Sequence, residues 1–175
     1  MKEIITRNEL NLLEYVWKFK KLAINHICEI SSKKANLEIL KWPKANNCPW
    51  NEFTCSGAAK KGHFEIIKWA TDNNCPWNRS TCSYSAFERH FEIIKSPRAN
   101  ACPCDQSTCS GAAKKGHFEI IKWLRANNCP WDAFTCPYAA EGGHLEILKC
   151  ARANDCPWDQ YTCSCAAYGG YLEIK

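Results

Sequence analysis

The sequence repeats with a period of about 27 residues, and this period limits what the chain can fold into. The dipeptide Cys-Pro stands at Cys48, Cys75, Cys102, Cys129 and Cys156. The block Thr54–Trp69 recurs without a change as Thr108–Trp123. A fixed period of this kind is typical of a solenoid, in which each unit buries its hydrophobic face only against neighbouring copies.

The period predicts one domain over residues 1–175. Its full repeats lie at about 24–50, 51–77, 78–104, 105–131 and 132–158, between an N-terminal capping half-repeat at 1–23 and a partial C-terminal repeat at 159–175. Hydrophobic residues make up 46% of the chain, which excludes a chain that is disordered by composition.

Each repeat is predicted to form two short helices joined by a turn. In the repeat 132–158, Asp132 can accept hydrogen bonds from the free amides where the first helix begins. Gly142–Gly143 ends that helix. The second helix carries an apolar stripe formed by Leu145, Ile147 and Leu148. A left-handed residue is expected where the second helices end, at Asn47, Asn74, Asn128 and Asp155.

The segment Phe134–Lys149 resembles an ankyrin repeat. The match rests on Ala139–Ala140, on Gly143–His144 and on the hydrophobic run Leu145–Leu148. The period is about 27 residues instead of about 33, and the missing residues are those of the β-hairpin finger. The unit looks like the short, Cys-Pro-Trp-containing ankyrin-like repeats of giant viruses and protists. The resemblance implies an all-α solenoid of stacked helix-turn-helix repeats without fingers, which acts as a protein-interaction scaffold and not as an enzyme.

The sequence also predicts the cellular compartment of the protein. The N-terminal segment lacks the apolar block of a secretory signal, and no run is long and apolar enough for a transmembrane helix. We therefore expect a cytoplasmic monomer, in the host cytoplasm if the chain is viral, with no membrane partner. In that compartment the fourteen cysteines are expected to be thiols. The net charge of +5 slightly favours acidic partners and falls short of a nucleic-acid-binding signature.

The recurring cysteines and histidines raise the alternative of a metal-thiolate protein, because they are zinc-binding residue types. The four sets are Cys48/Cys55/His63, Cys75/Cys82/His90, Cys102/Cys109/His117 and Cys129/Cys136/His144. No Cys-x2-Cys pair supplies a chelating turn, and Asn36 and Tyr171 replace the histidine in two copies. We therefore favour packing roles, with no metal, no cofactor and no catalytic cysteine.

In this interpretation each residue type of the repeat has its own structural task. The cysteines are small buried residues, and the histidine rings satisfy local backbone groups. The tryptophans are expected in the core between repeats, at Trp42, Trp50, Trp69, Trp77, Trp123, Trp131 and Trp158.

Positions that differ between the copies are the candidates for recognition. Two of them end the first helix before the Gly-His turn, and a third follows the tryptophan. They predict a partner-binding surface, which the ankyrin resemblance implies is the concave face, formed by Lys60, Lys61, Arg79, Phe87, Glu88, Gln106, Lys114, Lys115, Glu141, Gln160 and Tyr168. The lysine pairs suit an acidic protein surface, and Phe87 is expected to be the anchor of the interface. An acidic polymer or a nucleic acid is an alternative partner.

Some copies depart from the repeat pattern. Pro43 and Pro97 occupy the second-helix position that holds Leu124 in another copy, Arg89 replaces a glycine, and Ser96 replaces a tryptophan. A proline in a helix interior removes a hydrogen bond and costs about 3 kcal/mol. We therefore expect residues 85–101 to be the weakest part of the array. A truncated or decaying repeat protein without a selected function is the remaining alternative.

Overall fold

A computed structural model of the protein describes residues 27–47, 50–96 and 104–171. In these ranges all regular structure is helical and no β-strand occurs, which confirms the all-α class. The eleven described helices are α1 (Ile27–Lys33), α2 (Leu37–Ala45), α3 (Glu52–Ala59), α4 (Phe64–Asp72), α5 (Arg79–Phe87), α6 (Phe91–Ile94), α7 (Gln106–Lys114), α8 (Phe118–Ala126), α9 (Thr135–Glu141), α10 (Leu145–Ala153) and α11 (Gln160–Tyr168). None of these helices is long and apolar enough to cross a membrane.

The helices come in pairs that follow the period, as the sequence predicts. Each first helix from α3 onward begins beside an Asn or Asp whose side-chain oxygen meets the hydroxyl of the threonine that follows it in the first helical turn. The distance is 2.7 Å from Thr135 Oγ1 to Asp132 Oδ1 and 3.2 Å from Thr108 Oγ1 to Asp105 Oδ1. The threonine of each described Thr-Cys dipeptide is fully buried. It therefore ties the first helical turn to the preceding loop, a role that the sequence interpretation did not assign.

The left-handed positions lie where the sequence predicts them. At the ends of the second helices φ is 52° at Asn47, 63° at Asn74, 58° at Asn128 and 55° at Asp155. In the turn between the paired helices φ is 72° at Gly62, 73° at Gly116 and 71° at Gly143. Arg89 has the same conformation, with φ 63°. A side chain there carries a steric cost that glycine does not.

The chain forms two compact units, Met1–Thr81 and Cys82–Lys175. In the first unit α1 packs against α2 and α3, and α3 packs against α4. In the second unit the first helices α7, α9 and α11 pack side by side, while α8 and α10 pack against α7 and α9 respectively and against each other. The single domain deduced from the period remains a prediction.

Small and aliphatic side chains fill the core of the second unit. Each first helix contributes small residues, such as Cys109 and the pair Ala112–Ala113 in α7, and each second helix contributes aliphatic residues such as Ile120–Ile121. Small side chains in the first helices let these helices approach one another closely. In the first unit Cys55, Ala70 and Cys75 form a smaller buried cluster.

The structure corrects two expectations about the core. The described tryptophans line its edge instead of its centre: Trp131 and Trp158 are half-buried and pack against the buried cluster from outside. Arg125 and Arg152 place their guanidinium groups 4.7 and 5.4 Å from the centroids of these two rings. Leu145, the first residue of α10, is 42% exposed, although the sequence places it on the buried apolar stripe.

The helix pair that we expect to be weakest has a short second helix. α6 has four residues, whereas α2, α4, α8 and α10 have nine each. It ends at Ile94, before Ser96, and the residue preceding a proline is disfavoured in helical geometry. Pro97 itself lies outside the described residues, as does the capping half-repeat 1–23. Pro43 lies inside α2, which continues to Ala45.

Candidate functional site

The predicted binding residues nearest the Gly-His turn lie where the first helices end. In the second unit Phe87, Lys114, Glu141 and Tyr168 are the last residues of α5, α7, α9 and α11. Because α7, α9 and α11 pack side by side, the ends of these three helices lie next to one another. We name the four residues the first-helix row. In the first unit Lys60 and Lys61 follow α3 and are exposed.

Two members of the first-helix row contact the next first helix. In both contacts the same number of residues separates the two partners along the chain. Phe87 lies over Gly111, where a Cβ would be 3.7 Å from the Phe87 side chain. Lys114 Nζ lies 4.7 Å from the centroid of the Tyr138 ring, and Tyr138 occupies the repeat position of Gly111. The variable position of one copy is therefore in contact with a variable position of the following copy.

Lysines and aromatic rings alternate along this surface. Lys115 Nζ lies 4.7 Å from the centroid of the Phe87 ring, in the preceding copy. Lys114 Nζ lies at the same distance from the Tyr138 ring, in the following copy. Cations over aromatic faces contribute about 0.5–1 kcal/mol at exposed sites. Phe87 is half-buried by its own chain and offers less free surface than the sequence suggests. Phe134 stacks on the Tyr138 ring with the centroids 5.7 Å apart.

A shallow cleft lies beside the last two members of the row. Its volume is about 390 Å³, and it is lined by Glu141, Tyr161, Ser164, Cys165 and Tyr168. Tyr168 is 87% exposed and Tyr161 is 55% exposed. Both tyrosines belong to α11, and Glu141 ends the neighbouring helix α9. The cleft thus combines two exposed aromatic rings with one carboxylate.

The other predicted binding residues lie elsewhere on the same helices. Arg79, Gln106 and Gln160 are the first residues of α5, α7 and α11, not loop residues as their positions after the tryptophan suggested. A nine-residue helix separates its ends by about 12 Å, at about 1.5 Å per residue. These three residues therefore lie away from the first-helix row. Glu88 is exposed and directly follows Phe87, the last residue of α5.

The sequence interpretation missed Tyr138, Tyr161 and Ser164. Tyr138 occupies the repeat position of Gly57 and Gly111, so its variation between copies was a usable signal. The constant offset between contacting residues, which makes Tyr138 part of the surface, follows from the packing of the helices.

The histidines connect consecutive repeats. His63 Nε2 is 3.2 Å from the carbonyl oxygen of Lys33, and His117 Nε2 is 3.1 Å from that of Phe87. Both carbonyls belong to the preceding helix pair, so the expectation that the ring satisfies local backbone groups was wrong. Burial lowers the pKa of His117, opposed by its bond to Phe87, and the nearby charge of Arg89 lowers it further.

The cysteines also differ from the expectation of fourteen free thiols. Cys82 is disulfide-bonded, which contradicts the expectation that all the cysteines are thiols. The other described cysteines are thiols. Several of them are hydrogen-bonded to one another, as Cys136 is to Cys156. The bond from Cys156 lowers the pKa of Cys136, while burial opposes the shift.

The cysteines and histidines proposed as zinc ligands do not come together at one point in the described residues. Cys129 is hydrogen-bonded to Cys104 and Cys109, whereas Cys136 pairs with Cys156. The ring of His144 lies instead against the turns, close to Gly116 and Gly142. Across residues 27–47, 50–96 and 104–171 no group of three or more His, Cys, Asp or Glu side chains could hold a metal ion. Cys48 and Cys102, which belong to two of the sets, lie outside these ranges.

Comparison with known proteins identifies no family. No protein-family model matches the sequence, and no curated protein matches it at a significant level. The ankyrin resemblance therefore rests on Ala139–Ala140, Gly143–His144 and the other repeated letters.

Proposed function

We propose that the chain is a solenoid of finger-less ankyrin-like repeats without a catalytic role. We propose that it binds another protein through the first-helix row and the lysines and tyrosines beside it. The main support for this proposal is that the recurring and the variable positions of the repeat have different structural roles. Residues that recur from copy to copy are mostly buried or cap helices, whereas Lys114, Lys115, Tyr138 and Tyr168 differ between copies and do not fill the core. Exposed aromatic and cationic side chains of this kind suit an interface.

The chemistry of the surface favours an acidic partner segment that carries apolar side chains. The ammonium groups of Lys114 and Lys115 lie over rings, which orients the two charges on one surface. Oriented charges lose less conformational entropy when a carboxylate binds. Lys60 and Lys61 supply the same pair two repeats earlier in the sequence. We propose that this pair also binds the partner, and that the protein is a cytoplasmic monomer.

A single-stranded nucleic acid or another acidic polymer is the second candidate. Exposed rings beside lysines are also the elements of a stacking platform for bases. Tyr161 and Tyr168 favour this alternative, because both rings are exposed and line the cleft. Counterion release would then make binding fall steeply with salt concentration.

Two matched four-lysine variants test the proposal. The surface variant replaces Lys60, Lys61, Lys114 and Lys115 by Ser. The control variant replaces four exposed second-helix lysines that share one repeat position, Lys41, Lys68, Lys122 and Lys149. Both remove the same charge, and exposed substitutions cost under about 0.5 kcal/mol each, so both proteins should keep their helix content.

The assay measures fluorescence anisotropy with a labelled peptide rich in Glu, Asp and Leu and with a labelled oligouridylate, each at several salt concentrations. We expect the peptide to bind the wild type and the control variant, and to bind the surface variant more weakly with a flatter salt dependence. Equal peptide binding by both variants would contradict the surface assignment. Binding of the oligouridylate alone would favour the nucleic-acid alternative.

A further inference from the structure

Two cysteines of the same repeat meet in three of the helix pairs. The first cysteine lies in the first helix, and the second lies in the Cys-Pro turn after the second helix. The pairs, each hydrogen-bonded through the side chains, are Cys55 with Cys75, Cys109 with Cys129, and Cys136 with Cys156. All six side chains are buried. The folded chain therefore holds three sets of two thiols in contact.

The equivalent position in a fourth copy is already oxidised. Cys82 occupies the same position in its repeat as Cys55 and Cys109 do in theirs, and it is disulfide-bonded. This repeat position is thus compatible with a disulfide. In two of the three copies the second cysteine also makes the same contact with the backbone. Cys75 Sγ is 3.9 Å from the carbonyl oxygen of Asn51, and Cys129 Sγ is 3.7 Å from that of Asp105, the equivalent residue of its repeat.

We propose that the three thiol pairs are dithiol–disulfide sites, oxidised by a low-molecular-weight disulfide, that fasten each Cys-Pro turn to the first helix of its own helix pair. Disulfide formation needs two cysteines whose side chains already face one another at short range. Hydrogen-bonded thiols meet this requirement with little backbone movement. The product closes a loop of the same length in each copy and so fixes the ends of both helices.

Cys104 gives one of these sites access to solvent. It replaces the tryptophan of the other Cys-Pro-Trp turns, it is half-buried, and it is hydrogen-bonded to Cys129. Cys129 therefore contacts two thiols, Cys104 on the more exposed side and Cys109 in the core. An oxidant that reaches Cys104 can pass its oxidising equivalent inward by thiol–disulfide exchange.

The exchange balances without any further reactant. The Cys104 thiolate attacks one sulfur of the small disulfide, which forms a mixed disulfide and releases one small thiolate. Cys129 then loses its proton to solvent and attacks Cys104 Sγ, which expels the second small thiolate. Cys109 can next lose its proton and attack Cys129 Sγ, which forms the buried disulfide and returns Cys104 to its thiolate. Two electrons pass to the oxidant, which becomes two thiols.

The pKa values of the thiols determine how fast the disulfides form. In the other two sites the partner's hydrogen bond lowers the pKa of Cys75 and of Cys136. The bond to Cys129, with burial, raises the pKa of Cys104. The thiolate at Cys104 is therefore scarce at neutral pH, and its oxidation takes minutes to hours, the range of uncatalysed exchange.

The test oxidises the full chain and maps the products. The protein is fully reduced, freed of reductant, incubated with oxidised glutathione, and quenched with N-ethylmaleimide at successive times. Peptide mapping without reduction should find Cys55–Cys75 and Cys136–Cys156 disulfides, and Cys129 joined to Cys104 or Cys109. The melting temperature should rise by roughly 6–12 °C for each disulfide that forms, because each closes a loop of about 20 residues. Random pairing that includes exposed Cys163, or six cysteines that stay alkylatable after denaturation, would overturn the proposal.

Cys104→Trp tests the access route, because it restores the residue of the other turns. We expect it to slow oxidation of Cys109 and Cys129 at least tenfold, while oxidation of Cys136 and Cys156 in the same molecule keeps its rate. Cys163→Ser serves as the control and should change neither rate. An unchanged rate at Cys129 in Cys104→Trp would overturn the role of Cys104.

Discussion

Gly116→Ala measures how closely consecutive repeats approach. Gly116 has φ 73°, and a Cβ added to it would lie 2.5 Å from His144 Cε1. The left-handed backbone costs an alanine about 1 kcal/mol, and crowding of a packed ring costs about 1–3 kcal/mol more. Gly170→Ala is the matched control, since φ is 81° there and no atom of the described residues lies within 4 Å of the added Cβ. It should cost only the backbone term of about 1 kcal/mol.

Urea denaturation followed by circular dichroism gives both free energies of unfolding, and calorimetry gives the melting temperatures. We expect Gly116→Ala to lower the melting temperature by about 4–16 °C and Gly170→Ala by about 2–4 °C, at about 2–4 °C per kcal/mol for a chain of this size. In the background His144→Ala, the cost of Gly116→Ala should fall to the backbone term. Equal costs for the two glycine substitutions would refute the close contact between the turn and the His144 ring.

Three further predictions concern the frame of the array. Amides of the short helix α6 should exchange with deuterium faster than those of α8, because α6 has fewer residues and ends early; equal protection would contradict this. The lowered pKa of His117 means that the unfolded state binds its proton more tightly, so its contribution to stability is full above about pH 6.5 and falls as the pH drops through the folded-state pKa. Urea titrations between about pH 5 and 8 should therefore show less pH dependence in His117→Gln than in the wild type. Thr135→Val should cost about 1.5–3 kcal/mol in urea unfolding, since it removes a bond to the Asp132 carboxylate, and it should cost more than Thr135→Ser, which keeps the hydroxyl.

The sequence predicts the structure well where one copy decides the geometry. The left-handed conformation at Asn74 and Arg89 follows from the residues that surround them in their own repeat. The bond of His117 to Phe87 and the contact of Cys129 with Cys104 do not follow, because each of them joins two different copies of the repeat. A period gives each residue a position within the repeat and leaves open which neighbouring copy it contacts. Only the packing of one helix pair on the next fixes those offsets.

The constant offset between contacting first helices makes neighbouring copies interdependent on the surface as well as in the core. In the first unit Lys33 packs over Gly57, with its Cγ 3.0 Å from the position of an added Cβ. In the second unit Lys114 packs over the Tyr138 ring. A long side chain at the end of one first helix is thus matched by glycine or by an aromatic face on the next. Lys114→Ser consequently removes a charge and also uncovers a ring in the following copy. The contribution of either residue to the proposed binding therefore emerges only from a double-mutant cycle with Tyr138→Ser. A coupling energy near zero would show that the cation over the ring does not contribute to the proposed interface.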